Sequence, residues 1–437
     1  CYDNWWLPHP PAGMPAGCFL DISRIAKKYF KTREVRSNAG LEVPIVAVGK
    51  LGYPDLAEKA IRDGMCDLVM LGRPLLADPD WCKKAYAGEV ERIRPCIGCQ
   101  EGCINEFVEG GHPQCAVNPR TGFEDVIPET LPRAEQKKKI AVVGAGPSGM
   151  QFALTASARG HQVTLIEREK ELGGKVVPGS RPKIKFDFKN YLEYLVREVR
   201  LAEEKGSLTV STGVEADTSW LKEQNFDAIV YNIGTTSVVP KIPGVDRAHW
   251  VQATDLLIDP GKLGEAKKTV VIGGGVVGCE TAYWLKYEKG CDVTVVEMLP
   301  YIMSGACTAN RYHLIHYMEK AGVRLLNCAK VTGFTESGVQ IEKNISKGVP
   351  DPYNTWQPQL PENIANPLAK KIGPETEARE LAADLVVFAM GGRPDDSLYL
   401  EGLRMHAAKE MYNIGDSFSG GRVLEAARAA YRLGRDI

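Results

Sequence analysis

The chain has 437 residues, enough for two to four domains with ample cores, and a formal net charge of -1 that carries no signature of a nucleic-acid or anionic-membrane partner. No apolar run approaches the ~18 to 20 residues of a membrane span. Of twelve cysteines only Cys96, Cys99, Cys103 and Cys115 are clustered; the others are scattered singly, which suits reduced thiols in a soluble cytoplasmic protein and speaks against a disulfide framework.

The amino end opens at Cys1 with neither an initiator Met nor a signal-peptide pattern, and reads as a fragment whose upstream part is missing. Residues 1–94 have the pattern of the tail of an α/β repeat. A helix is expected over Gly17–Lys28, buried strands over Pro44–Gly49 and Cys66–Gly72, and a helix over Tyr53–Asp63 between them. Each strand ends in glycine beside a cation, Gly49-Lys50 and Gly72-Arg73. Such loops at the carboxyl ends of the last strands of a (β/α)8 barrel can bind phosphate, the backbone approaching the anion and the cation adding charge. Singly, each is also what a turn with a surface cation looks like.

The four cysteines come next in a C-x2-C-x3-C-x11-C pattern. This spacing lets a tight turn aim three sulfurs at one centre while a short loop returns the fourth, the arrangement of an iron-sulfur cluster. A structural zinc site, which usually shows two C-x-x-C knuckles, and a pair of disulfides are the competing readings. Asn118–Gln136 is a connector without periodicity, so segment 95–136 joins the barrel part to a new domain that begins at Lys137.

From Lys138 a strand leads to Gly144-Ala145-Gly146-Pro147-Ser148-Gly149, then a helix from Met150 to Arg159 and a second strand ending at Glu167, 23 residues after the first glycine. The same unit recurs with Gly273, Gly275, Gly278 and Glu297, the acid now 24 residues on. A G-x-G-x-x-G turn set between strand and helix, with an acid at that distance, is the dinucleotide fingerprint, so two dinucleotides are implied. Two further strands close at Gly234 and Gly391 and mark crossings between the folds. The second fold is thereby inserted in the first, giving 137–240 with 385–437 around 241–384. The Pro- and Asn-rich stretch Glu342–Glu380 reads as a surface excursion.

This order of parts resembles the carboxyl two-thirds of the multi-cofactor old yellow enzyme family, which includes 2-enoate reductase, 2,4-dienoyl-CoA reductase and trimethylamine dehydrogenase. The start, Cys1-Tyr2-Asp3-Asn4-Trp5 with His9-Pro10-Pro11, is most similar to the 2-enoate reductase branch. The resemblance implies an α/β chain: the end of a TIM barrel, an iron-sulfur loop, and two nested Rossmann-like domains. It implies FMN at Gly49, Lys50, Gly72 and Arg73, and a 4Fe-4S cluster on Cys96, Cys99, Cys103 and Cys115. FAD is implied at Gly144, Gly146, Gly149, Glu167, Gly174, Gly415 and Asp416, and NAD at Gly273, Gly275, Gly278 and Glu297. An acid such as Glu297 accepts from a free 2'-hydroxyl and repels a 2'-phosphate, so NADH is expected over NADPH.

The implied activity is NADH-dependent reduction of an activated C=C bond in a small unsaturated acid or thioester, electrons passing through FAD, cluster and FMN. The family's proton donor is a tyrosine of the upstream barrel, so none is assigned. Tyr2, Asp3, Trp5 and His9 would lie on a loop at the barrel mouth, touching substrate or packed together. The intact second fingerprint argues against a trimethylamine dehydrogenase-like amine demethylase. With no cysteine between Leu172-Gly173-Gly174 and Cys279, disulfide chemistry is disfavoured. Two rivals remain: an iron-sulfur FAD subunit that passes electrons to a protein partner, and a cofactor-free remnant. A homo-oligomer is compatible with all of these.

Overall fold

The computed structural model describes residues 8–108, 110–355, 364 and 366–437; Tyr2, Asp3 and Trp5 lie outside them. Helix α1 (Leu20–Thr32) precedes β1 (Val46–Ala47), α2 (Pro54–Arg62) and β2 (Leu68–Val69), and the two strands pair in parallel. Pro54 opens α2, where its missing N–H has no helical partner to lose. Leu20, Ala47, Leu51, Ala60 and Cys66 form the small core of this part. The two strands are shorter than their apolar runs, and Val46, Val48, Leu68 and Met70 are exposed rather than buried. A pleated strand sends alternate side chains to opposite faces, and among the described residues one face of this pair has no cover. Short helices α3 (Arg73–Ala77), α4 (Trp81–Tyr86) and α5 (Glu106–Val108) flank the cysteine segment.

The first dinucleotide fold begins with β3 (Lys139–Val143), α6 (Pro147–Ala158) and β4 (Gln162–Glu167). It continues through α7 (Val176–Gly179), α8 (Phe186–Glu204), β5 (Leu208–Thr212), α9 (Thr218–Glu223) and β6 (Ala228–Tyr231). The chain then crosses on β7 (Thr235–Ser237) into the second fold. There β8 (Trp250–Gln252), α10 (Ala253–Ile258), β9 (Lys268–Ile272), α11 (Val276–Tyr287), β10 (Asp292–Val296), α12 (Thr308–Ala321) and β11 (Arg324–Leu326) build a nucleotide-binding half. An antiparallel sheet of β12 (Ala329–Phe334), β13 (Gly338–Asn344) and β14 (Thr376–Ala382) comes next, then β15 (Leu385–Phe388). Strand β16 (Gly392–Pro394) pairs antiparallel with β7, so outward and return crossings lie side by side. Helix α13 (Ser397–Met405), β17 (Glu410–Asn413) and α14 (Val423–Asp436) complete the first fold.

The first sheet has the order β17-β6-β3-β4-β5 and the second β11-β10-β9-β15-β8, all neighbours parallel. Sheets covered by helices on both faces read as continuous apolar runs, which is why Ile140-Ala141-Val142 and Val293 to Val296 carry so little polar alternation. One boundary moves. Leu385–Phe388 does not belong with the first fold, because its backbone pairs along β9 and its four side chains are buried in the second sheet; the return comes at β16. The stretch from 342 to 380 also differs from a free excursion. Its ends are β13 and β14, and its near part is fastened: Tyr353 donates to the Val323 carbonyl at 2.8 Å, and the buried Arg311 donates to the carbonyls of Asn354 and Thr355 at 3.0 Å each. No helix among the described residues is long and apolar enough to cross a membrane.

Candidate functional site

The cysteine segment turns sharply around Cys99. Gly98 and Gln100 on either side of it are both left-handed, with φ of 64° and 62°. For the non-glycine Gln100 that conformation is strained and needs external support. Gln100 is buried, and its Nε2 donates to the His9 carbonyl at 2.5 Å. The result is that Cys96, Cys99, Cys103 and Cys115 line one cavity, together with Arg73 and apolar residues such as Leu76, Ile97 and Val117. Among the described residues no three His, Cys, Asp or Glu side chains form a set that would hold a single metal ion. Burial raises the Cys99 thiol well above its usual range and pushes Cys115 up to about 12; Cys103 is raised by burial and by Cys96. Left alone these thiols stay protonated, and a cationic centre is what would reverse that.

Of the two expected phosphate-loop cations Lys50 is committed elsewhere and Arg73 only in part. Lys50 forms a buried ion pair with Asp187 of α8 at 2.5 Å and donates to the Pro11 carbonyl at 3.2 Å. Tyr53 donates to the other Asp187 oxygen at 2.8 Å, and burial followed by the Asp187 charge raises its hydroxyl pKa. Arg73 donates through Nη2 to the Pro10 carbonyl at 2.8 Å. Segment 9–12 is thus held between the barrel part and the cysteine turn, and His9 belongs to that seam. The two strands end at Ala47 and Val69, short of Gly49 and Gly72, and the Lys50 and Arg73 side chains face α8 and the cysteine cavity rather than a common anion.

The two glycine turns are built alike. In the first, the Ala145 amide donates to Glu167 Oε2 at 2.7 Å and the Glu169 amide to Oε1 at 3.0 Å. In the second, the Gly274 amide donates to Glu297 Oε2 at 2.7 Å and the Leu299 amide to Oε1 at 2.8 Å. The acid at the end of the second strand therefore sets the shape of the turn that would carry a pyrophosphate at the helix amino end. At Gly149 and Gly278 a Cβ would collide with the carbonyl oxygens of Gly144 and Gly273, so helix and strand approach as only glycine permits. Gly174 lies against Gly146, and Gly415 against Asn232 and Ser148. Asp416 accepts from the Gly421 amide at 3.1 Å and stands 4.0 Å from Lys175. Gly144, Gly146, Gly149, Glu167, Gly174, Gly415 and Asp416 thus come together around one turn, while Gly273, Gly275, Gly278 and Glu297 form the other.

A second cavity lies between the folds, lined by Cys99, Glu101, Lys185, Val276, Glu280 and Asn310 among others. Cys99 lines both cavities. The groups around this joint carry no sequence motif. Lys185 pairs with Glu280 at 2.6 Å and lies 3.8 Å from the Phe188 ring centroid. Arg422, at the start of α14, pairs with Glu101 at 2.9 Å and also donates to the Gly305 carbonyl. From α12, Asn310 donates to the Cys99 carbonyl at 2.5 Å and accepts from the Ala12 amide at 3.1 Å. These residues tie the first fold, the second fold and the cysteine turn into one joint. A signal that could have found one of them is that Glu280 follows the second glycine turn at a helical position.

Comparison with known proteins agrees with this layout. The family model described as pyridine nucleotide-disulphide oxidoreductase matches residues 122–180 and 138–411. A cinnamate reductase of Clostridium sporogenes is 35% identical over 346 residues, covering 78% of this chain and 49% of that protein. An NADH oxidase of Thermoanaerobacter brockii is 33% identical over 400 residues, covering 91% of this chain and 56% of that protein. Among solved structures, a 2-naphthoyl-CoA reductase in complex with 2-naphthoyl-CoA superposes with a TM-score of 0.81 at 28% identity, covering 98% of this chain and 57% of that one. The chain spans about half the length of the curated relatives it matches.

Proposed function

We propose that the chain, which belongs to the pyridine nucleotide-disulphide oxidoreductase family and there to the 2-enoate reductase and old yellow enzyme-like NADH:flavin oxidoreductases, works in the NADH-dependent reduction of activated C=C bonds. The observation that carries this reading is the shared wall at Cys99: the cavity between the two dinucleotide folds abuts the cavity ringed by the four cysteines. Such groups when bound supply hydride delivery from nicotinamide, exchange between two-electron and one-electron transfer at flavin, and single-electron carriage at an iron-sulfur centre.

Cys96, Cys99, Cys103 and Cys115 would hold a 4Fe-4S cluster. A ring of sulfurs about a cavity fits a polynuclear centre better than one tetrahedral zinc, whose ligands close to about 2.3 Å. Gly144, Gly146, Gly149, Glu167, Gly174, Gly415 and Asp416 would hold FAD, and Gly273, Gly275, Gly278 and Glu297 NADH. Glu297, its oxygens already oriented by two amides, would accept from the ribose hydroxyls and exclude a 2'-phosphate. For FMN the loops at Gly49 and Gly72 and the Arg73 Nη1, which has no partner among the described residues, would be available, whereas Lys50 is held by Asp187. The substrate is an unsaturated acid or its CoA thioester, as the names of the cinnamate and 2-naphthoyl-CoA reductases suggest.

Replacing Cys99 by Ala tests the reading. NADH-to-flavin reduction is expected to persist under anaerobic mixing, while reoxidation by enoates or enoyl-CoA esters stops. Equal loss of both steps would overturn it. The engagement of Lys50 with Asp187 favours one further reading, an iron-sulfur FAD module that passes electrons to a protein partner. Extraction of FAD without FMN would support that module.

A further inference from the structure

We propose that Arg311 is a positioning residue for the nicotinamide nucleotide, bracing the loop behind the second glycine turn against the 342–380 stretch; this rests on the reading of that turn as the NADH site. The loop runs from Glu297 to Met303 and grips Gly274 from both sides. The Gly274 amide donates to Glu297 Oε2 at 2.7 Å, and the Met303 amide donates to the Gly274 carbonyl at 2.7 Å. A Cβ on Gly274 would meet Glu297 Cβ at 2.8 Å and Ile302 Cδ1 at 3.1 Å, so the loop fits the turn closely. Met303, which closes the loop, also lines the cavity between the folds, as does Val276 at the start of α11.

The first fold closes the same ring with a different residue. There the Ala145 amide donates to Glu167, and the Gly173 amide donates to the Ala145 carbonyl at 2.9 Å, Gly173 standing as far along the chain from its acid as Met303 does. Gly173 takes a φ of 128° as glycine freely can, whereas Met303 is held at 53°, left-handed and strained for a residue with a side chain. Such a conformation persists only where the surroundings over-determine it.

Here they do. Arg311 is buried on α12, and all three of its donor nitrogens go to main-chain carbonyls. Nε donates to Ile302, the residue before Met303, at 2.9 Å; Nη1 and Nη2 donate to Thr355 and Asn354 at 3.0 Å each. Asn327 makes a parallel tie, its Nδ2 donating to the carbonyls of Pro300 at 2.7 Å and Pro350 at 2.8 Å. Tyr353 fixes the stretch to β11, its hydroxyl accepting from the Leu325 amide at 3.1 Å. The rigid fork of a guanidinium fixes three backbone oxygens at once, which a lysine ammonium cannot do in the same geometry. Nucleotide binding that needs the strained loop is weakened by the fraction of molecules that relax out of it, so loosening the brace costs nucleotide affinity and not flavin. By linkage, nucleotide bound at the turn tightens the stretch in return.

The test uses the flavin-loaded full chain and NAD+, which binds without reducing the flavin. Arg311→Lys is expected to raise the Kd for NAD+ about tenfold by calorimetry with flavin content unchanged, and Asn327→Leu about threefold. In wild type NAD+ is expected to slow hydrogen exchange of the amides in 345–355, and in Arg311→Lys that protection is expected to vanish. Should Arg311→Lys fail to fold, weaker binding and weaker protection in Asn327→Leu support the brace. A lower melting temperature with wild-type affinity in the folded variants, or exchange in 345–355 that NAD+ leaves unchanged, overturns the brace while leaving the NADH reading intact. A wild-type chain that does not bind NAD+ overturns that reading, and the brace with it.

Discussion

The two dinucleotide folds share one hydrogen-bond scheme but not one environment. In both, the acid closing the second strand accepts from the glycine turn and from the residue two beyond itself. In the first fold the turn is covered: Glu167, Ser148 and Gly149 are buried, and α6 is packed between the sheet, α8 and α14. In the second fold Gly275, Val276 and Val277 are exposed, Glu297 is half-buried, and Val276 lines the cavity shared with Cys99. Under the proposed assignment one local hydrogen-bond scheme would serve two purposes. Cover suits a resident flavin that leaves only when the fold opens, and openness suits a nicotinamide that must exchange at every turnover.

The sharpest way to break this comparison is to add one methyl group to each helix. Gly149→Ala drives a Cβ into the Gly144 carbonyl where α8 and α14 leave α6 no room to retreat. A destabilisation of about 3 kcal/mol and purification without flavin are expected, read from the melting curve and the visible spectrum. Gly278→Ala makes the same collision in the second fold and is expected to keep its flavin but lose reduction by NADH. Equal flavin loss in both would show that cover is not the difference.

Acid should separate the folds next. His313, buried on α12 beside the open cavity, is held down to about 4 by burial first and then by Lys50 and His316. In the first fold His161 is lowered too, by burial and then by Arg159. A histidine whose folded pKa lies below its unfolded value binds its proton more readily when unfolded. Its contribution is complete above about 6.5 and is lost as pH falls towards 4, on the order of 3 kcal/mol for His313. Denaturant midpoints measured across that window should fall in wild type and flatten in His313→Phe. An unchanged slope in the variant would assign the acid response elsewhere.

Glu297→Ala should raise the KM for NADH about tenfold, near 1.4 kcal/mol, and narrow the preference over NADPH with flavin content unchanged. Glu167→Ala should instead lower flavin content. The smallest effect is expected at the seam where the first fold closes after the insertion. Lys138 at the head of β3 pairs with Glu410 of β17 at 2.8 Å, partly in solvent, and Lys138→Met should cost about 0.5 kcal/mol. The Lys138 hydrogen bond chiefly lowers the Glu410 pKa, so this pair's contribution exists above the unfolded carboxyl pKa and fades as pH drops through the folded one.

Much of the layout was legible without coordinates. Strand, glycine turn, helix and acid recur within about thirty residues in each fold, because the turn is a backbone requirement that only particular residues meet locally. The crossings at Gly234 and Gly391 were legible for the same reason, and the structure pairs β7 with β16 just beyond them. Less legible was the allegiance of Leu385–Phe388. A buried parallel strand has the same apolar composition whichever sheet receives it.

The functional side chains divide along that line. Sequence by itself determined the cysteine spacing, both glycine turns and their acids, since each is a short-range pattern. Only the tertiary structure decided that Lys50 meets Asp187, 137 residues on, that Lys185 meets Glu280, 95 residues on, and that Asn310 grips the turn at Cys99 from 211 residues away. A cation or amide beside a turn carries no address of its own. It bonds to whichever partner the packing brings within reach, and the packing brought Arg73 to the cysteines.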